Sequence, residues 1–390
     1  MKFGMGQPLR RKEDKRFLTG TGRYVDDTAL PGEARAFVLR SPVAHARITS
    51  VDAEAARAMP GVLKVYVGAD VDCRLCKLPN EVPFQQEDGS PPAPAVHPHL
   101  ALDKIRFVGQ PLAFVVAETL AQARDAAEAI EFDYEELPVV VDPAKAIEPG
   151  APQLHDEAPG NIAYAWRIGD AAATDEAFAK AAHLSKVKVC SQRLIVASME
   201  TRAITARYDT GTERWEVWAG SQGVHGIRAR IAMALQVEPA RLRVHTPDVG
   251  GGFGMKLMAH PEYGLTCLAA QDIGRPVKWI GERSDAMLSD CQGRDLTTEA
   301  EGAFDAEGRI LAFRWSSLSN LGGYYSSFGA GIHTSFSSPI IGGMYRVPVY
   351  THHVRGVFTN TTPTDAYRGA GRPEMMYATE RLMERAARDM

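Results

Sequence analysis

The stretch Asp248-Val249-Gly250-Gly251-Gly252-Phe253-Gly254-Met255-Lys256 constrains the chain more than any other. Three consecutive glycines, one aromatic and a fourth glycine make a loop almost bare of side chains apart from one protruding ring. In such a loop, backbone N–H groups can approach a bound group closely. The spacing excludes the two common nucleotide loops. A G-x-G-x-x-G pattern started at Gly250 ends on Met255, and started at Gly252 it ends on Leu257. A Walker-type loop needs Gly-Lys-Ser/Thr, whereas Met255 precedes Lys256 and Leu257 follows it. A strand-to-helix turn that binds nothing is the plain alternative, since glycine clusters are commonly turns.

The 390 residues suffice for two or three domains with a substantial core. With 45% apolar and 24% charged residues the composition is that of an ordinary globular protein, which argues against disorder. A formal charge of -4 gives no basic footprint for nucleic acid, and Arg10-Arg11-Lys12 is balanced at once by Glu13 and Asp14. No apolar run approaches the roughly 20 residues that cross a bilayer, and the N-terminus lacks the apolar core of a secretory signal. The expectation is a cytoplasmic protein. Five scattered cysteines argue for reduced thiols; Cys73-Arg-Leu-Cys76 is a single C-x-x-C without the second pair that a zinc site needs.

Along the chain, residues 34–39 and 61–67 read as strands with a helical stretch over 53–59 between them. Residues 80–99, crowded with Pro, Gln, Glu and Asp, read as a long surface loop with little to bury. Residues 105–118 read as a strand pair turning at Gly109-Gln110-Pro111. Thr119 can cap a helix over 120–130 whose packing face is Ala123, Ala126, Ala127 and Ile130. These elements predict a compact α+β unit. Five prolines between Pro138 and Asn161 predict a linker without regular structure.

Beyond it, helices are expected over 175–182, 223–235 and 262–272, with strands at 184–192, 201–208, 214–219, 241–245 and 275–280. Ile227, Ile231, Ala234 and Leu235 share one helix face, with Arg228 and Arg230 turned outward. The loops carrying Gln222 and Phe253 then lie at the ends of neighbouring strands, the edge where α/β arrangements bind ligands. Residues 299–319 read as a hairpin turning at 305–308. A second unusual loop, Ala366-Tyr367-Arg368-Gly369-Ala370-Gly371-Arg372-Pro373-Glu374, precedes a helix that runs to Arg388 without a cap, so the chain is expected to be cut from something larger.

Taken in order, Arg16 to Gly20, Gly22 to Asp27, Arg40-Ser41-Pro42, His45 to Ile48, Val108 to Pro111, Met199-Glu200, Pro247 to Lys256 and Asp365 to Glu374 are motifs of one family. The chain resembles the N-terminal half of the molybdenum-binding large subunit of the xanthine dehydrogenase/aldehyde oxidase family, in the branch of carbon monoxide dehydrogenase-like large subunits. The resemblance implies an α+β fold: an N-terminal segment (1–17), an α/β hammerhead domain (18–138), a Pro-rich linker (139–161) and the first, incomplete part of a molybdopterin-binding α/β domain (162–390). It implies that Gln222 sits beside an oxo ligand of the metal, that Gly252, Phe253 and Gly254 pack against the metal's ligands, and that Arg368 contacts the cofactor. No metal ligand is expected in the chain itself.

An amide can donate to an oxo group, glycine N–H groups can sit close to it, and an Arg fork can hold an anionic or carbonyl-rich pterin. Taken singly, Gln222 reads first as a cap of the helix over 223–235, Arg368 as a surface or ion-pair arginine and Phe253 as core. His225, His245, His260, His352 and His353 show no metal-ligand spacing.

The resemblance further implies a molybdenum-molybdopterin cofactor, in its cytosine dinucleotide form, and a small-molecule substrate. Iron–sulfur clusters and FAD are expected on partner subunits, because the chain has no cluster-binding cysteine pattern. The implied reaction oxidises an aldehyde or N-heteroaromatic carbon with water as the oxygen source. Gly369 stands where carbon monoxide dehydrogenases carry the copper-ligating cysteine, and Leu257 where xanthine-type enzymes carry a glutamate. Both departures argue against those substrates. The family's general-base glutamate lies beyond Met390, so the catalytic residues are unknown and the chain alone is expected to be inactive. The alternative is a non-catalytic fragment or split-subunit half that supplies part of the molybdopterin site and pairs with another chain.

Overall fold

The computed structural model describes residues 6–83 and 85–390; residues 1–5 of the expected N-terminal segment and Phe84 of the expected 80–99 loop lie outside them. The fold is α+β, built among the described residues on three sheets. The largest has seven strands in the order Leu242–His245, Arg214–Ala219, Ala203–Asp209, Val277–Ile280, Ala34–Arg40, Pro111–Ala117 and Val62–Val67. It closes across the expected domain boundary: Ala34, Arg35 and Ala36 run parallel to Val277, Lys278 and Trp279. One core, with Val38, Phe114, Ile204, Val217, Leu268 and Trp279, therefore serves both parts of the chain.

A second sheet orders Ile162–Gly169, Val349–Phe358, Ile310–Gly322, Leu296–Phe304 and His183–Ser191. Helix Arg372–Asp389 covers it with Met375, Ala378, Leu382 and Ala386, a stripe at helical spacing that is completely buried. The small third sheet joins Lys104–Ile105, Ala46–Asp52 and Glu131–Glu136.

Local chemistry explains the elements that match the sequence. Thr119 accepts the N–H of Gln122 at 3.2 Å while Gln122 accepts the N–H of Thr119 at 3.1 Å, a reciprocal cap that starts helix Leu120–Glu128. Gly274, at φ 64, ends helix Pro261–Ile273 in the left-handed conformation that glycine adopts freely.

Four expectations are corrected. The pair expected over 105–118 is no hairpin: Lys104–Ile105 joins the third sheet and Pro111–Ala117 the first. Its corner is held instead by Ser41, which exchanges backbone hydrogen bonds with Gln110 and Gly109 at 2.9 Å each. The 80–99 segment buries Val82, Ala95, His97 and His99, single residues whose packing has no period to read. The expected linker is packed too: Asp142 caps a helical turn Pro143–Ala146, and Val140, Ala146, Leu154 and Ala158 enter the core around Phe358. Proline suits the first helical position because its φ is preset and its missing N–H would be unpaired there anyway. Arg230, expected to face water, forms a bidentate pair with Glu81 at 2.6 and 2.7 Å over the ring of Phe328.

Candidate functional site

Strands Arg214–Ala219 and Leu242–His245 run parallel, Trp215 beside Leu242 and Trp218 beside His245. Their C-terminal ends release the loops 220–223 and 246–256 side by side. The second places Phe253 at φ 50, an unusual conformation for a bulky residue, between Gly251 at φ 100 and Gly254 at φ 106. Such backbone persists where the surroundings impose it, and it concentrates at functional sites. The Phe253 ring is 44% exposed, so it is not core.

Gln222 does not cap the following helix, whose N-cap is Gly223 without a side-chain bond. Its Oε1 accepts the backbone N–H of Gly254 at 2.8 Å, and its own N–H donates to the carbonyl of Lys256 at 3.2 Å. With the amide oxygen occupied, Nε2 is left as a donor with no acceptor among the described residues. Gly252 makes this approach possible, since a Cβ there would sit 2.6 Å from that Oε1. The backbone N–H groups of Gly251, Gly252 and Phe253 likewise meet no acceptor among the described residues.

The third component comes from the distant loop. Arg368 donates its backbone N–H to the carbonyl of Phe253 at 2.8 Å, and a Cβ at Gly254 would lie 2.4 Å from the carbonyl of Ala366. The guanidinium of Arg368 is exposed and has no carboxylate partner among the described residues. Gln222, Gly252, Phe253, Gly254 and Arg368 thus form one cluster in which unspent donors face outward.

Several residues outside the expected site set surround and support this cluster. Arg294 donates to the carbonyls of Tyr367 and Arg368 at 2.9 Å each, and to both oxygens of buried Glu374 at 3.1 Å. Asp365 accepts from the N–H groups of Phe328 and Ala366 and from the hydroxyl of Ser326, and burial pushes its carboxyl up to about 6 despite those bonds. Glu262 opens helix Pro261–Ile273 fully buried between Arg202 and Arg40. Burial would raise this carboxyl, but the two guanidinium groups hold it well below the usual range. His260 donates from Nε2 to the carbonyl of Met255 at 3.0 Å, and burial lowers its pKa to about 3, so it is a neutral packing residue.

Amide and backbone donors without an acceptor, near a guanidinium without a carboxylate partner among the described residues, could hold a ligand rich in oxygen acceptors at the end of a sheet. The chain belongs to the xanthine dehydrogenase/aldehyde oxidase family of molybdopterin-binding large subunits: residues 154–390 match the molybdopterin cofactor-binding domain, and residues 19–138 the aldehyde oxidase and xanthine dehydrogenase a/b hammerhead domain. It is 36% identical to the 6-hydroxypseudooxynicotine dehydrogenase complex subunit gamma of Paenarthrobacter nicotinovorans, over 99% of this chain and 48% of that one. The carbon monoxide dehydrogenase large chain of Afipia carboxidovorans is 36% identical over 98% of this chain and 48% of its own length. The chain therefore spans about half of these relatives. The nicotinate dehydrogenase large molybdopterin subunit of Eubacterium barkeri is 27% identical over 95% of this chain, which covers 83% of it. Among solved structures, quinoline 2-oxidoreductase from Pseudomonas putida 86 superposes with a TM-score of 0.91 at 36% identity, covering 98% of this chain and 48% of that one. The donor set fits the cofactor that the family domain binds: an acceptor-rich pterin beside metal–oxygen groups needs outward N–H donors and a cation, and both are present.

Proposed function

We propose that this chain forms the N-terminal part of a molybdenum hydroxylase large subunit that oxidises an aldehyde or N-heteroaromatic carbon, takes its oxygen from water, and passes electrons to iron–sulfur and flavin subunits. The carrying observation is the join of the Gln222 loop, the Gly-rich loop and the Arg368 loop through two bonds of 2.8 Å, with their remaining donors unspent. When bound, the molybdenum cofactor, in its cytosine dinucleotide form, supplies the redox chemistry at the substrate carbon.

The chain's residues do the rest. Gln222 offers Nε2 to an oxygen acceptor, held in one orientation by the Gly254 N–H. Gly252, Phe253 and Gly254 bring backbone close to the ligand, where donors fixed in advance stabilise developing charge without reorganising. The Phe253 ring lies over Gly251, where a Cβ would meet it at 2.9 Å, and so covers one side of the loop. Arg368 holds the anionic or carbonyl-rich part of the pterin with its planar fork. Glu200 and Glu262 are engaged in ion pairs, so neither takes the role of general base. The boundaries 18–138, 139–161 and 162–390 mark family units in this proposal, while a single sheet packs the first and last together.

Gly369 in the second loop and Leu257 after the first keep the reading away from carbon monoxide and purine. The expected substrates are aldehydes and N-heteroaromatics, in keeping with the nicotine- and quinoline-acting relatives. The assembled enzyme should be incubated with quinoline, nicotinate and an aromatic aldehyde in 18O-labelled water. Labelled hydroxylated or carboxylate product supports the proposal, and absence of turnover on all three in a molybdenum-loaded assembly overturns it. A second reading is supported by the Eubacterium barkeri subunit, most of whose length this chain covers: a split half that supplies part of the site and pairs with another chain. The masses of co-purifying chains separate the two readings.

A further inference from the structure

Beneath the Gly-rich loop lies a buried ion pair that the ligand-facing residues do not account for. The ammonium of Lys256 is completely buried and donates to Glu200 Oε2 at 2.7 Å. The same oxygen accepts the N–H of Gly250 at 2.9 Å, and the Glu200 N–H donates back to the carbonyl of Gly250 at 3.0 Å. Glu200 thus grips the loop at its first glycine and at its last residue. Lys256 in turn accepts the N–H of Gln222 on its carbonyl at 3.2 Å.

We infer that Glu200 and Lys256 form a positioning pair that sets the height of the Gly250–Gly254 backbone relative to the Gln222 amide, and so the fit of both to the cofactor. This inference rests on the assignment of the site proposed above.

Three observations carry it. The contacts leave no slack: a Cβ at Gly250 would fall 2.4 Å from the Cβ of Glu200, and a Cβ at Gly220 would fall 3.2 Å from Glu200 Oε2. Through Lys256 the pair reaches both cofactor-facing components, since the residue that carries the ammonium also holds the Gln222 backbone. Finally, the pair is poorly suited to stability alone. Burial lowers the Lys256 pKa against the pull of Glu200, and Glu200 Oε1 is buried with no hydrogen-bond partner among the described residues. An apolar pair of similar volume would serve packing as well or better. What an apolar pair cannot do is hold the Lys256 ammonium and the Gly250 N–H on one oxygen.

The test uses the assembled enzyme with its partner chains. Wild type, Glu200→Gln, Lys256→Met and the double variant are compared by thermal midpoint, by molybdenum and pterin content, and by hydrogen exchange at Gly250 and Gly254. Each single variant should lower the midpoint, because it leaves one buried charge unpaired. The double variant should recover most of the midpoint, yet hold about tenfold less molybdenum than wild type, the size of effect that supporting residues have on metal sites. Its Gly250 and Gly254 amides should exchange faster.

Wild-type molybdenum and exchange in the double variant would overturn the inference and leave the site assignment standing. A wild-type assembly without molybdenum or pterin would overturn both. If the double variant fails to assemble, Lys256→Arg gives the answer: charge is kept and geometry altered, so about tenfold lower molybdenum supports the pair's role, whereas full loading contradicts it.

Discussion

The side-chain carbonyl of Gln222 accepts the backbone N–H of Gly254 at 2.8 Å, across 32 residues of sequence. One amide therefore has two separable parts: its oxygen orients the loop, and its nitrogen is the donor that the proposed function assigns to the ligand. Gln222→Glu keeps the acceptor and should leave the thermal midpoint within a degree or two of wild type. It loses the donor, and turnover of the assembled enzyme should fall about 10²-fold, the usual loss for one preorganised donor. Gln222→Ala loses both, adding a stability loss of about 1 kcal/mol. Steady-state kinetics beside thermal unfolding checks the separation.

Gly254 and Gly223 differ in what they tolerate, although both flank the site. Gly254 sits at φ 106 with the Ala366 carbonyl 2.4 Å from where a Cβ would stand, so Gly254→Ala should cost about 1–3 kcal/mol. Gly223 has extended backbone at φ 169 and nothing within 4 Å, so Gly223→Ala should change stability by less than about 0.5 kcal/mol. Denaturant unfolding of the two variants reads the contrast directly.

Arg294 supports the Arg368 loop from below. Arg294→Met leaves Glu374 without its guanidinium partner and two loop carbonyls without a donor, a loss of about 3 kcal/mol. Adding Glu374→Gln should restore part of it. A double-mutant cycle that finds the two substitutions additive would contradict the described coupling.

The carboxyl of Asp365 carries a pH signature. Its pKa is raised from 3.8 to about 6 on folding, so the folded chain binds a proton that the unfolded chain has released between those values. Its contribution is full below the unfolded value, falls as pH rises from 4 to 6, and is constant above. Relative to Asp365→Asn, wild type should lose about 2–3 kcal/mol of stability over that window. Unfolding of both proteins at pH 4, 5, 6 and 7 measures the difference, and parallel curves would contradict it.

The legible parts of the sequence were those with local chemistry. The Thr119 cap, the Ala123 face and the ends of strands 214–219 and 242–245 follow from neighbours a few residues away. The Gly-rich loop announces itself because glycine is chosen for backbone reasons. Strand Val349–Phe358 is absent from the sequence reading because it is central in its sheet yet polar. His352 there is buried with each ring nitrogen on a serine, Ser317 at 2.9 Å and Ser338 at 2.8 Å, so its alternation of apolar and polar residues is blurred. Glu200 and Asp365 stand in motifs that say nothing of their task, and Arg294 stands in none. Only contacts across 37 to 80 residues, such as Asp365 on Phe328, Glu200 on Gly250 and Arg294 on Glu374, make them supports of the site.

The central claim is that Gln222, the Gly250–Gly254 loop and Arg368 form a molybdopterin site. Its most direct test is the molybdenum content, by elemental mass spectrometry, and the pterin content, by fluorescence after oxidation, of the assembled protein and its Arg368→Met variant. The account predicts stoichiometric molybdenum and pterin in wild type, and about tenfold less in the variant at an unchanged thermal midpoint of the apoprotein. A wild-type assembly free of both, or a variant as fully loaded as wild type, would contradict it.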